Sequence, residues 1–385
     1  FEYDSEFVKL GLEISPINLS TTAKKIYANE PEWSETGGIP GVIYDSLPDR
    51  FGTDLLKTYF LEKGLTPKDI NSFAKLQYIG TRGMGALEYQ PSTKTEQNNN
   101  TISLEEIEKL SLIGSQGKEA LNTNFSDKKA LLEIIHIGTS AGGARAKALI
   151  AINKKTGTIK SGQIKQTGEF EYYLIKIDGA NESNLGEPSG FGRLEFTYAQ
   201  MAKECGIEMT ECALYKKTHF LTKRFDRDQN GDKLHVHSLC GLLSLDYNNI
   251  GEYSYEQYFL AARQLGLGQD ALEEIYRRMV FNVLAHNCDD HTKNFSFVMN
   301  KKGEWALSPA FDVCYSYDSN NDWVSGHNMR VNGKRNNITH EDIMRVGEKF
   351  NLKKRKEIFL EIQTIVNQFK IYAKSNNVAD DLINE

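Results

Sequence analysis

The chain has 385 residues and a net charge of −6, with 39% hydrophobic and 25% charged residues. That is an ordinary globular composition, long enough for two or three domains and a sizeable core. The acidic balance argues against nucleic acid as the main partner, because phosphate binding shows as a basic excess or stripe.

The N-terminal stretch FEYDSEF is acidic and unlike a signal peptide, and a chain that starts with Phe1 is read as lacking an N-terminal piece. Within residues 1–90, GVIYDSLPDRFG (41–52) and YIGTRGMGALEYQP (78–91) mix short apolar runs with Gly and Pro, which predicts strands and turns. Polar residues 92–102 predict a loop, and SLEEIEKLSL (103–112) a helix with a Ser103/Glu106 capping box. Strands are predicted in KALIAIN (147–153), EYYLIKID (171–178) and HFLTKRFDR (219–227), with a helix at 194–206. From about 253 the spacing turns helical. Leu272, Ile275, Met279, Val283 and Leu284 recur at helical spacing after a predicted cap at Asp270 with Glu273, and 340–375 is amphipathic. A strand-rich first half and a helix-rich second half predict an α+β fold. No apolar run approaches the roughly 18 residues of a membrane span. Five cysteines, without a CxxC pair, read as reduced cytosolic thiols.

The most informative stretch is NCDDHTKNFSFVMN (287–300) followed by WALSPAFD (305–312). Phe295, Phe297 and Met299 alternate, a polar turn with Gly303 follows, and a second short strand predicts a hairpin. Its open ends then bring together Asp289, Asn294 and Asp312. Two carboxylates and an amide oxygen suit Mg²⁺, which takes few protein ligands. Phosphoryl transfer needs this set, an acid to receive a hydroxyl proton and an Asn and an Asp to hold metal. Loop solvation and capping are the bland reading. Six polar residues of specific type, in order on a predicted hairpin, make it the weaker one.

GTSAGGARAK (138–147) has small residues that bare backbone N–H groups, as a phosphate cradle does. It is neither a Walker A loop nor GxGxxG, and by itself a glycine-rich hairpin turn explains it better. Lys147 enters the next strand. Lys176 lies in an apolar strand, where a lysine is usually an edge or snorkelling residue. Its functional reading is a phosphate contact, with Glu195 on the following helix as a candidate partner. Thr222 to Phe225 fall where a hinge holds adenine through backbone groups. Two decoys are set aside. DRDQNGDKLHVH (226–237) starts like an EF-hand but has His237 at position twelve, so a turn at Asn230-Gly231 explains it better. The cluster His286, Cys288, Asp289, Asp290, His291 lacks zinc-ligand spacing, and His291 reads as a hydrogen-bonding anchor of the loop.

At YIGTRGMGAL, GTSAGGARAK, TKRFDRD, CDDHTKNFS and SPAFD the sequence resembles the HipA family, kinase toxins of bacterial toxin–antitoxin systems. The resemblance runs from about residue 40 to 370. It implies a protein-kinase-like two-lobe fold with an extra N-terminal β-rich subdomain and a mainly helical C-terminal lobe. The corresponding domains are 1–100, incomplete at its start, 101–225 with the phosphate loop, and 226–385 with the catalytic loop. It implies Asp289 as catalytic base and Asn294 and Asp312 as Mg²⁺ ligands. ATP contacts are implied for Ser140, Gly142, Gly143, Ala144, Lys147, Lys176, Lys223, Phe225, His291 and Lys293. Ser140 sits where the family carries an inhibitory autophosphorylated serine, and a dianion there would compete with the nucleotide's own charge. Further implications are a cytoplasmic serine/threonine kinase, a protein substrate such as an aminoacyl-tRNA synthetase, and a HipB-like helix-turn-helix antitoxin that alone contacts DNA. Arg145 and His237-Ser238 depart from common family residues and leave regulation and target choice open. A nucleotide-binding pseudokinase and a small-molecule kinase are the alternatives. The intact set Lys176, Asp289, Asn294 and Asp312 counts against the first, and no basic amphipathic helix supports a membrane substrate.

Overall fold

The computed structural model describes residues 1–92, 147–178 and 190–384, except 24–25, 29, 49–52, 54–55, 58–59, 62–63 and 67. Ser140, Gly142, Gly143, Ala144 and the predicted helix 103–112 lie outside the described residues. In chain order the strands are β1 (Lys147–Ile152), β2 (Ile159–Ser161), β3 (Glu171–Lys176), β4 (Cys212–Tyr215), β5 (His219–Lys223), β6 (His235–Ser238), β7 (Tyr253–Ser254), β8 (Ser296–Met299), β9 (Trp305–Leu307) and β10 (Met329–Arg330). The chain forms two compact units, each discontinuous in sequence. One comprises Phe1–Asp45, Leu194–Thr210 and His235–Glu385; the other comprises Ser46–Arg193 and Glu211–Leu234.

The second unit is built on an antiparallel sheet in the order β2-β1-β3-β5-β4. Alternation gives β3 one face of Tyr173 and Ile175, which packs with Ala148, Ile150, Ile159, Ile177 and Leu221 into a core. Each large apolar side chain buried there contributes about 1.5–3 kcal/mol. The opposite face carries Leu149 against Leu174 and, one pair further along, Lys147 directly across from Lys176. The turn after β5 follows the expectation for 226–237. The backbones of Arg227 and Lys233 pair antiparallel, Gly231 takes φ 76°, and Asp228 Oδ1 accepts the N–H groups of Asn230 and Asp232.

The first unit holds the sheet β6-β8-β9 and most of the helices. Helix Gln269–Leu284 buries Leu272, Ile275, Met279 and Val283 as its spacing predicts, leaves Leu284 half-buried, and packs against helix Arg355–Val366. Its cap differs from the expectation. The chain is extended at Gly268, which is the N-cap, so Asp270 stands in the first turn, where a carboxylate faces the positive end of the helix dipole. Predicted helicity over 340–375 resolves into three helices, His340–Lys349, Arg355–Val366 and Phe369–Ser375. The first is closed by a capping box between Thr339 and Asp342. Thr339→Ala is expected to lower stability by about 1 kcal/mol, read as a drop in the urea midpoint without a change in slope.

The β-rich character expected for residues 1–100 is corrected. The described residues there form no named strand, only short helices and the isolated bridge Glu2–Ile26. Gly41–Tyr44 turns into a helix after Pro40, and Asn71 Oδ1 caps Ser72–Ile79 by accepting the Ala74 N–H. Gly41–Tyr44 has no side-chain cap, so capping accounts only for the second of these short runs, which periodicity leaves ambiguous.

Candidate active site

Helix Gln269–Leu284 ends at Ala285, and His286 adopts φ 52° to turn the chain into the loop that carries Asp289. A 3-10 turn, Thr292–Asn294, then leads into β8. The β8–β9 hairpin forms as predicted, with Phe297 opposite Leu307 and Met299 opposite Trp305. Ser308 N–H extends the ladder to the Ser296 carbonyl. Asp312 follows in the left-handed region at φ 55°, a conformation a non-glycine residue adopts at a cost and one that clusters at functional sites.

The predicted convergence is realised within this unit. Asn294, Asp312, Asp290 and Asn287 line one cavity of about 20 Å³, room for about one water-sized sphere. Asn294 Nδ2 donates to the Asp289 carbonyl at 2.7 Å, which leaves the amide oxygen for a cation. Apolar side chains such as Phe281, Phe295 and Val313 and the Arg278 side chain also line the cavity, while its amide oxygen and carboxylates are hard-oxygen donors of the kind Mg²⁺ takes. Among the described residues no group of three or more His, Cys, Asp or Glu gathers as a metal cage.

Burial is the largest influence on Asp289 and pushes its carboxyl up. The Asp312 charge adds to this, while His291 and the Trp323 hydrogen bond act in the other direction. Trp323 Nε1 donates to Asp289 Oδ1 at 2.6 Å, and the Asp289 N–H donates to Ser316 Oγ at 2.9 Å.

The loop anchor is not the predicted one. His291 Nε2 stands 3.7 Å from Asp289 Oδ1, beyond a hydrogen bond, and its buried Nδ1 has no partner among the described residues. Its ring lies between Tyr247 and Trp323, with centroids at 5.4 and 5.8 Å, so it packs rather than ties. The tie is Asp290, which is 1% exposed. Its carboxylate accepts from Tyr255 Oη at 2.7 Å and the Asn328 N–H at 2.7 Å, and it meets His327 Nδ1 at 2.9 Å. Asn282 Nδ2 continues the network to Tyr255 Oη, and Asn287 Nδ2 to Asn282 Oδ1. Lys293 places its ammonium 4.7 Å from the ring centroids of both Tyr44 and Tyr247, a two-sided cation–π clamp.

In the other unit, Lys147 and Lys176 are register partners across β1 and β3, and Lys176 Nζ lies 5.9 Å from the Phe220 ring. Like charges directly opposite cost stability in a sheet. Lys223 points elsewhere. Its ammonium is 3.2 Å from Glu171 and 3.6 Å from Glu211. Phe225 is half-buried, and the charged residues around it hold one another. Arg224 grips Asp226 through two hydrogen bonds of 2.8 and 2.6 Å and donates to the Gly162 carbonyl.

Residues 139–369 match the family described as the HipA-like C-terminal domain, and residues 1–90 match the HipA N-terminal domain. The chain belongs to the HipA family. A Haemophilus influenzae protein named "Putative kinase" is 32% identical to this HipA-family chain over 136 residues, 31% of this chain and 39% of that protein. "Putative kinase Y4dM" of Sinorhizobium fredii is 32% identical over 93 residues, 24% of this chain and 22% of that protein. The matches thus span well under half the length of these relatives. Among solved structures, HipA in the Shewanella oneidensis complex of HipA, HipB and operator DNA aligns over 97% of this chain and 84% of its own. The TM-score is 0.65 at 16% identity, a likeness of fold. The α+β, kinase-like HipA fold expected from the sequence is therefore the fold observed. None of the five cysteines is joined in a disulfide, and no described helix is long and apolar enough to cross a membrane.

Proposed function

We propose that this HipA-family chain is an ATP- and Mg²⁺-dependent protein serine/threonine kinase. One observation carries the reading. The chain entering the β8–β9 hairpin carries Asp289 and Asn294 and the chain leaving it carries Asp312; Asn294 and Asp312 line one cavity, and the Asn294 amide is oriented by its hydrogen bond to the Asp289 carbonyl. Phosphoryl transfer is mostly positioning and charge stabilisation, and these are the groups it needs. Asp289 takes the substrate hydroxyl's proton. Asn294 and Asp312 hold Mg²⁺, which when bound neutralises phosphate oxygens.

Lys147 and Lys176, paired across their strands, bind the nucleotide's phosphates. Ser140, Gly142, Gly143 and Ala144 supply the backbone cradle, with Ser140 the site of inhibitory autophosphorylation. Lys223 has its ammonium engaged with glutamates, so it and Phe225 contribute main-chain groups to the adenine. His291 and Lys293 shape the nucleotide side of the catalytic loop. The domain scheme 1–100, 101–225 and 226–385 goes with this reading. So do a cytoplasmic location, a HipB-like antitoxin that alone contacts DNA, and a protein substrate such as an aminoacyl-tRNA synthetase.

Phosphoamino-acid analysis after incubation with labelled ATP, Mg²⁺ and a cell lysate tests the proposal. Phosphoserine or phosphothreonine is expected with the wild type and not with Asp289→Asn. Label found only on lipid or metabolites would move the reading to a small-molecule kinase. Lys176→Met is expected to weaken ATP·Mg²⁺ binding by about 10- to 100-fold, the worth of a hydrogen bond to a charged group. Isothermal titration measures it.

A further inference from the structure

Trp323 lies 34 residues beyond Asp289, and its indole N–H meets that carboxylate at 2.6 Å, the short distance of a charge-assisted bond. Resting on the kinase reading above, we infer that Trp323 is a positioning residue that fixes the Asp289 carboxylate and assigns its two oxygens different tasks. Oδ1 accepts the indole N–H and is also the oxygen facing His291. Oδ2 accepts no hydrogen bond from the described residues, and the Asp289 side chain is 38% exposed. Oδ2 is thus the oxygen that receives the proton. As the substrate hydroxyl oxygen bonds to the γ-phosphorus, its O–H proton passes to Oδ2. The bond from γ-phosphorus to the bridging oxygen breaks, and its electron pair leaves with ADP.

The placement of Trp323 is built. Asn328 Nδ2 donates to the Trp323 carbonyl and to the Cys288 carbonyl, each at 2.9 Å. The Asn328 N–H donates to Asp290. One residue therefore staples the tryptophan's backbone to the residues on either side of the base. The Trp323 N–H donates to Asn321 Oδ1 at 3.1 Å, and the ring packs edge-on against Tyr247 and His291. A carboxylate left to rotate about its terminal torsion spends part of its time out of line, and small displacements of reacting groups are costly. The other two indoles differ. The N–H groups of Trp33 and Trp305 are buried without an acceptor among the described residues.

Two variants separate the hydrogen bond from the packing. Trp323→Phe keeps a ring and loses the donor. Incorporation of 3-benzothienylalanine at position 323 keeps the bicyclic shape and replaces the N–H with sulfur. Both are expected to lower kcat by about 10- to 100-fold. KM for ATP should stay within about twofold, and the thermal midpoint should hold in the isosteric variant, the pattern of an interaction made in the transition state. A second readout is independent of turnover. The indole N–H resonance assigned to Trp323 by its loss in Trp323→Phe should move when Asp289 becomes Ala. Wild-type kcat in the isosteric variant, or an unmoved indole resonance, would overturn the inference and leave the kinase reading standing. Wild-type protein that transfers no phosphate at all would overturn both.

Discussion

Asp289→Asn is expected to reduce phosphoryl transfer by about 10²- to 10⁴-fold, the usual worth of a positioned general base. Stability should respond the other way. Burial raises the Asp289 carboxyl above its ordinary value, so the ionised form is the one the fold disfavours. A carboxyl raised in the folded state contributes stability below its unfolded pKa and loses it as pH rises through the folded value. At neutral pH the wild type therefore carries a charge that the fold holds at a cost. The amide variant sheds it and keeps an oxygen for Trp323. Its thermal midpoint is expected to equal or slightly exceed that of the wild type, a trade of stability for activity common at functional sites. Differential scanning calorimetry beside a transfer assay reads both quantities.

Asp226→Asn should do the reverse and strike stability first. Burial works against its ionisation. Yet Arg224, Arg227 and the Gly85 N–H, at 2.9 Å, outweigh burial and hold the carboxyl well below the usual range. The side chains of Arg224, Asp226 and Arg227 are all 2% exposed or less. Removing the carboxylate leaves two buried guanidinium groups around a neutral amide, at a cost of about 3–5 kcal/mol. The sign with pH follows from the depressed value. The stabilisation is complete above the unfolded aspartate pKa, about 3.9, and is lost as pH falls from there towards the folded value. Urea midpoints are expected to differ most between variant and wild type at pH 6–7 and to converge as pH falls below about 4.

The same cluster shows what a motif can hide. TKRFDRD stands out in the sequence as a family signature beside the hinge. In the structure, Arg224, Asp226 and Arg227 spend their charges on one another and on the Gly162, Gln163 and Gly85 backbone. The charges of these three residues are engaged in a buried network of their own.

Legibility followed sequence distance. β1, β3, β5 and the β8–β9 hairpin were readable because each is a short alternating run with its turn beside it. Asp289, Asn294 and Asp312 were readable for the same reason, since one local hairpin gathers them. Gly41–Tyr44 and Ser72–Ile79 were not, because runs of four to eight residues fit either period, and only the second has a side-chain cap, Asn71. Within DDH the residue types do not say which side chain turns inward. Asp290 does so because Tyr255, His327 and Asn328 converge on it from 35 to 38 residues away. Trp323 is equally remote, and its only sequence signal is a tryptophan in an otherwise polar loop.

The most direct test of the central claim is intact-mass and peptide mass spectrometry of dephosphorylated protein after incubation with ATP and Mg²⁺, beside Asp289→Asn. The account predicts phosphate on Ser140 of the wild type and none on the variant. Wild-type protein that binds ATP·Mg²⁺ yet gains no phosphate, and transfers none to any protein in a lysate, would contradict it and leave a nucleotide-binding pseudokinase in its place.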